Sequence, residues 1–137
     1  MAKVARTLHG LIDTSVVIDL DRIDAGQLPS ELAISALTMA ELAADPHATR
    51  DSAERARRQD RLQRAEATFD PLPFDGDCAR AYGRVYAAIV ATGRKARGPR
   101  AVDLLIAATA VAANLPLYTR NVDDFRGIEH LLEIIGV

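Results

Sequence analysis

Short apolar runs alternate with helix-like patterns along this chain. Apolar runs bounded by turn or capping residues predict buried β-strands over residues 8–12, 32–35, 115–119 and 131–135. Apolar positions at helical spacing predict helices over 16–20, 38–44, 51–67, 75–92 and 101–113, and a helical turn over 121–125. Strands that alternate with helices indicate an α/β domain with a mainly parallel sheet.

The predicted helices differ in how much of their surface is apolar. Residues 101–113 are apolar nearly all round except at Asp103 and Thr109, so we expect this helix to be central and buried. Residues 51–67 carry only a thin apolar stripe among many charges. We therefore expect that helix to lie on the outside of the domain.

Length and composition fit one globular domain over residues 1–137, with 49% hydrophobic and 26% charged residues. A single cysteine, Cys78, excludes an intramolecular disulfide and a cysteine-based zinc site, and three scattered histidines disfavour a histidine-based one. No apolar run approaches the ~20 residues that span a bilayer, and the first ten residues lack the apolar stretch of a signal peptide. These features predict a cytoplasmic protein without a membrane partner.

The net charge of −2 gives no overall sign of nucleic-acid binding, but the basic residues are clustered. Arg94, Lys95, Arg97 and Arg100 fall within seven residues that contain no acid. This cluster is interpreted either as a solvated loop or as a surface that binds RNA phosphates. Because it precedes the helix that carries Asp103, it is placed to reach a phosphate backbone that enters a site there.

Acidic residues fall where parallel strands would end. Asp13 follows the first strand, Glu41 lies in the helix after the second, Asp103 lies in the first turn of the buried helix, and Asp124 follows the third strand. The carboxyl ends of parallel strands meet at one edge of a sheet, so these acids are expected to converge. Each also has a structural interpretation: Asp103 as a negative charge favoured by the helix dipole, and the others as helix caps. Glu41, for example, has the spacing of a capping box with Thr38.

Taken together, the acids favour a metal site over four separate structural roles. Asp103 begins a helix with scarcely another polar side chain, so its burial requires a partner. Converging carboxylates repel one another unless protons or a metal neutralise them. Oxygen-only ligands suit Mg²⁺ or Mn²⁺, which bind substrate phosphates and assist phosphodiester hydrolysis.

Four segments of the chain carry a family resemblance. They are residues 11–15 (LIDTS), 38–42 (TMAEL), 103–110 (DLLIAATA) and 118–125 (YTRNVDDF). In this order and at this spacing they resemble the PIN domain and, within it, the VapC toxins of bacterial toxin–antitoxin pairs. The resemblance implies a three-layer α/β/α fold with a five-stranded, mainly parallel sheet of order 3-2-1-4-5. It also implies a Mg²⁺-dependent endoribonuclease, Mn²⁺ being possible, that forms a homodimer and is neutralised by a VapB-like antitoxin.

The same resemblance assigns roles to single residues. Asp13 and Asp103 correspond to metal ligands and catalytic acids, and Glu41 corresponds to a further catalytic acid. The fourth acidic position falls on Asn121 or Asp124, because family members differ there; we assign Asp124 as the catalytic acid and Asn121 as a supporting residue. The hydroxyls of Ser15 and Thr119 match supporting positions that hold water or a phosphate oxygen, and both also have an interpretation as caps.

Other families that gather acids at strand ends fit less well. A receiver domain requires adjacent acids after the first strand and a lysine after the last, and a haloacid-dehalogenase phosphatase requires Asp-x-Asp where this chain has Asp13-Thr14-Ser15. The remaining alternative is a PIN-like module that binds RNA or protein without cutting. For an inhibitor, the sequence predicts docking over residues 16–20, 38–44 and 50–67, with an arginine in the acidic pocket.

Overall fold

The structure is a computed structural model that describes residues 8–98 and 100–137. Its strands are β1 (His9–Ile12), β2 (Glu31–Ala33), β3 (Leu117–Thr119) and β4 (Ile134–Gly136). Its α-helices are α1 (Thr14–Ile18), α2 (Ala36–Ala44), α3 (Ser52–Thr68), α4 (Gly76–Ala91) and α5 (Arg100–Ala113). Short 3-10 helices occupy Leu20–Arg22, Ala25–Gln27, Asp45–Ala48 and Val122–Phe125. None of the helices in the described ranges has the length and apolarity to cross a membrane.

The strands form a parallel sheet of order β2-β1-β3-β4 within the described residues, which confirms the predicted parallel α/β fold but with four strands instead of five. A single bridge between Ser35 and Leu72 stands beside β2, at the place of the expected extra strand. The Leu72 N–H donates to the Ile34 carbonyl at 2.9 Å, and its carbonyl accepts from Ala36 N at 2.8 Å. The flanking prolines, at positions 71 and 73, have no N–H. Those two positions would face away from β2, and the ladder ends at this pair because the chain enters α2 at Ala36.

Alternate residues of the strands face two separate cores. Leu11 and Leu117 point to the side that is covered by α4 and α5, whereas Ile12 and Tyr118 point to the side that is covered by α1, α2 and α3. This arrangement gives the three layers that the resemblance implied. Gly10 leaves room on the sheet for the Tyr118 ring of the neighbouring strand, because a Cβ at that position would meet the ring at 2.5 Å.

The helices confirm the predicted burial pattern. In α5, Leu104 and the run 106–110 are fully or almost fully buried, so this helix is central as expected. In α3, only Leu62 and Ala65 are buried along 17 residues, so this helix lies outside. Its predicted cap is also present, because the Asp51 carboxylate accepts from Glu54 N at 2.9 Å.

Some predicted boundaries were wrong by a few residues, for local reasons. Helix α1 begins at Thr14 because Asp13 caps it directly. Helix α2 begins at Ala36, two residues before the predicted start, because Ser35 caps it and accepts from Leu37 N at 3.0 Å. The last strand begins at Ile134, later than predicted, because the segment before it turns, with Leu131 N bonded to the Ile128 carbonyl.

Candidate active site

Asp13 occupies the junction between the end of β1 and the start of α1. Its side chain accepts hydrogen bonds from Val16 N at 3.2 Å and from the Ser15 hydroxyl at 2.6 Å. The residue is only 4% exposed. Burial raises the pKa of this carboxyl above its usual value, while hydrogen bonds from Ser15, Thr119 and the backbone oppose that shift. The fold thus holds a carboxylate in a position where its charge is poorly solvated.

The two predicted supporting hydroxyls join the ends of neighbouring strands. Ser15 donates to Asp13 and accepts from Arg120 N, just after β3, at 3.1 Å. Thr119 accepts from Asn121 N at 3.0 Å and also bonds the Asp13 carboxyl. Both residues therefore orient Asp13 and the β3 terminus, as well as serving local caps.

Glu41 is held by a residue that the sequence analysis did not select. The Thr14 hydroxyl lies 2.6 Å from Glu41 Oε1 and 3.1 Å from the hydroxyl of Thr38. A hydroxyl has one hydrogen, so the consistent arrangement has Thr14 donating to Glu41 and accepting from Thr38. The predicted alternative, a capping box between Thr38 and Glu41, was wrong because Ser35 caps α2 and Thr38 lies inside the helix. The signal for Thr14 was its place directly after Asp13, at a strand end.

The electrostatic environment of Asp103 indicates that the acids lie near one another. Burial and the charges of Asp124, Glu41 and Asp13, in decreasing order, raise the pKa of its carboxyl to about 6, against an opposing effect from Arg100. Three acids distant in sequence therefore act on one carboxyl, as the strand-end argument predicted. These like charges repel one another unless a proton or a cation neutralises them.

A cleft of about 380 Å³ combines this acidic centre with positive charges. We call it the charged cleft; it is lined by Lys95, Arg97, Arg100, Asp103 and Asp124. Of the two candidates for the fourth acidic position, Asp124 thus lies beside Asp103. Asn121 is exposed, and its backbone carbonyl accepts from Asp124 N at 3.1 Å, so it shapes the turn that carries Asp124.

The predicted basic cluster divides into two parts. Lys95, Arg97 and Arg100 line the charged cleft, and Arg100 belongs to the first turn of α5 rather than to the loop. The Arg94 guanidinium instead donates to the carbonyls of Asp123 and Arg126, both at 3.0 Å. Arg94 therefore ties the loop after α4 to the 3-10 helix that carries Asp124.

Comparison with known proteins decides the family. The sequence profile of the PIN domain matches residues 11–131, which include all four acids. The chain belongs to the PIN domain family. It is 34% identical to Ribonuclease VapC5 of Mycobacterium tuberculosis over 133 residues, covering 93% of this chain and 95% of that protein. It is 33% identical to Ribonuclease VapC of Rickettsia bellii over 132 residues, with the same coverage. These matches confirm the VapC-type resemblance.

Solved structures agree with this PIN domain in fold. The VapBC-5 crystal structure from Mycobacterium tuberculosis, a member of the VapBC family of toxin-antitoxin systems, has a TM-score of 0.83 at 34% identity, covering 95% of this chain and 99% of that one. A VapBC2 structure from Rickettsia felis, bound to a DNA fragment from the promoter, has a TM-score of 0.75 at 22% identity and covers 94% and 98% of the two chains. At that identity the second match supports the fold alone.

The donor set of this PIN domain suits a hard cation. The converging groups are carboxylates and hydroxyls, which are the oxygen ligands that Mg²⁺ and Mn²⁺ prefer. Across residues 8–98 and 100–137, no three acidic, histidine or cysteine side chains form a ready-made metal cage. Mg²⁺ commonly keeps several waters and uses only one or two protein carboxylates, so this looser arrangement fits it.

Proposed function

We propose that this PIN domain is a Mg²⁺-dependent endoribonuclease and the toxin of a toxin–antitoxin pair. The carrying observation is Asp103, whose carboxyl pKa is raised by burial and three neighbouring acids in a cleft that also presents basic side chains. A carboxyl in that state gains most from a cation that neutralises the cluster. The ribonuclease names of the VapC relatives support the reaction class.

In this proposal Asp13 and Asp103 hold the Mg²⁺ or Mn²⁺ ion. When bound, such an ion supplies an activated water and stabilises charge on the phosphate. Thr14 donates a hydrogen bond to Glu41 Oε1. Among the described residues, the other carboxylate oxygen is then available to accept a proton from water. Asp124 adds negative charge beside Asp103, which strengthens cation binding.

Lys95, Arg97 and Arg100 bind the RNA backbone in this proposal. They line the same cleft as Asp103 and Asp124, so a phosphate that they hold lies near the acids. Contacts to phosphate supply affinity without reading the sequence. Selection among RNA sequences therefore requires further contacts outside the charged cleft.

The test compares cleavage of bulk RNA by the purified protein in Mg²⁺ and in EDTA. Asp13→Asn is expected to abolish cleavage while the folded state persists, as checked by circular dichroism. Asp70→Asn, which removes an exposed carboxylate elsewhere, is the matched control and should cleave normally. Full activity of Asp13→Asn would refute the site, and RNA binding without any cleavage would favour the non-catalytic module.

We also propose a VapB-like antitoxin as the partner of this chain, by analogy with the VapBC structures. A groove of about 210 Å³ lies between α1 and α3. Its lining is apolar at Ile18, Leu20 and Phe69 and charged at Asp21, Arg61 and Arg64. A second groove, of about 320 Å³, contains Thr14 and Glu41 and shares Ile18, which is 41% exposed. An apolar segment that crosses Ile18 would bring an arginine to the acids, where bidentate bonds to carboxylates would block the cation.

Co-expression with the adjacent small reading frame tests this partner. The proposal expects a stable complex and relief of toxicity, and Ile18→Glu should weaken the complex while leaving RNA cleavage by the free protein largely intact. A harmless chain that fails to co-purify would refute the toxin assignment but not the nuclease. The homodimer implied by the resemblance is tested on the same preparation by sedimentation.

A further inference from the structure

Another groove, distinct from the two beside Ile18, adjoins the charged cleft, and we call it the tyrosine groove. It has a volume of about 390 Å³ and is lined by Tyr86, Val90, Arg94, Lys95, Ala96 and Arg97. Tyr86 is 37% exposed and Val90 is 51% exposed, so both side chains are open to a ligand. The lining thus combines an aromatic surface with positive charge, and it contains no acid.

The tyrosine groove is continuous with the charged cleft. Lys95 and Arg97 line both, so they stand between Tyr86 on one side and Asp103 on the other. None of the ion pairs found among residues 8–98 and 100–137 involves either of these two cations. Both side chains are therefore available to a ligand, whereas the Arg94 guanidinium donates to two backbone carbonyls.

The Tyr86 ring lies against another aromatic ring of its own helix. Its centroid lies 6.1 Å from that of Tyr82, one turn earlier in α4, with the rings inclined at 55°. Tyr82 is partly buried and packs against the core beneath α4 and α5. A supported aromatic ring loses little conformational freedom when a ligand stacks on it.

We propose that the tyrosine groove is a nucleotide subsite for single-stranded RNA, in which Tyr86 stacks on a base flanking the cleaved phosphate. Lys95 and Arg97 bind the phosphate between that base and the charged cleft, and Val90 extends the apolar contact. An aromatic ring beside a positively charged track is the arrangement that proteins use to bind single strands. This inference rests on the proposed ribonuclease function. It adds a contact to a base of the RNA, which the phosphate contacts do not supply.

Binding of a labelled single-stranded oligoadenylate in EDTA tests the subsite without requiring cleavage. Base stacking on one aromatic side chain is worth about 1–3 kcal/mol, so Tyr86→Ala should weaken binding about fivefold or more. Tyr86→Phe keeps the ring and should bind like the wild type. An RNA of the same length with abasic nucleotides should bind equally to Tyr86→Ala and to the wild type, because it has no base to stack.

Cleavage kinetics in Mg²⁺ supply an independent readout. Tyr86→Ala should raise KM and leave kcat nearly unchanged, because Tyr86 lies away from the acids. A wild type that binds RNA as described but cuts nothing would refute the proposed function and leave the subsite standing.

Three results would overturn the subsite. One is unchanged oligoadenylate binding by Tyr86→Ala, and another is an equal loss for the abasic RNA. The third is a change in sedimentation of Tyr86→Ala, alone among the variants, that accounts for the loss of binding. In that case the groove is a contact between copies of this chain.

Discussion

Removing the charge of Asp103 should stabilise the protein in the absence of metal. The pKa of its carboxyl is raised from 3.8 to about 6. At 1.36 kcal/mol per unit, the ionised carboxyl is disfavoured by at most about 3 kcal/mol at neutral pH. Asp103 is only partly buried, and its place in the first turn of α5 favours a negative charge by about 0.3–1 kcal/mol. We therefore expect Asp103→Asn to raise the free energy of unfolding by about 1–2 kcal/mol at pH 7.5 in EDTA.

The pH dependence of this gain has a definite sign. A raised pKa means that the folded state binds the Asp103 proton more tightly than the unfolded chain does between pH 4 and 6. Its contribution to wild-type stability is therefore present below about pH 4 and is lost as the pH rises through 6. The Asn variant has no such titration, so the difference between the two proteins should be small at pH 4 and should grow to its full size above pH 6.5.

Urea unfolding followed by circular dichroism, from pH 4 to 7.5 in EDTA, measures this difference. Asp70→Asn, which removes an exposed carboxylate outside the charged cleft, controls for the loss of one negative charge. Adding Mg²⁺ should stabilise the wild type more than Asp103→Asn. A variant that is less stable than the wild type at pH 7.5, or a difference that does not change with pH, would refute the electrostatic reasoning.

Three further predictions concern groups around the acids. Thr14→Val should lower kcat for RNA cleavage at saturating Mg²⁺, because Glu41 loses its hydrogen-bond donor, whereas Thr14→Ser should restore most of the rate. Replacing Lys95 and Arg97 together by Gln should reduce the salt slope of RNA binding by about 1 to 1.5, as expected for two lost phosphate contacts to a single strand. Arg94→Gln should instead lower the midpoint of thermal unfolding, with little change in that salt slope, because its guanidinium bonds two backbone carbonyls.

The sequence was sufficient for those features that depend on strand ends and helix burial. Asp13, Asp103 and Asp124 follow or precede apolar segments whose direction is fixed by a parallel sheet, so their convergence could be argued without coordinates. The charge effects on Asp103 agree with that argument. The apolar surface of residues 101–113 likewise predicted a buried helix, because a helix that is apolar all round has no stable place at the surface.

The start of α2 could not be read from the sequence, because two residues compete for the cap. Ser35 and Thr38 both have side chains that accept hydrogen bonds at a helix N-terminus. The choice is made by a distant segment, since Ser35 is bridged to Leu72 and Ala36 N donates to the Leu72 carbonyl. With the helix fixed there, Glu41 turns toward Thr14 instead of closing a capping box.

The candidate site combines acids that are held by hydrogen bonds with cations that lie on an exposed segment. Asp13 and Glu41 are oriented by hydrogen bonds from Val16 N, Ser15 and Thr14, so their positions follow from β1, α1 and α2 themselves. Lys95 and Arg97 are exposed on the segment between α4 and α5, so replacing either side chain disturbs few buried contacts. Loops on a rigid scaffold change with little loss of stability. Substitutions of exposed residues in the tyrosine groove and its adjoining loop are thus expected to change RNA binding without moving Asp13 or Glu41.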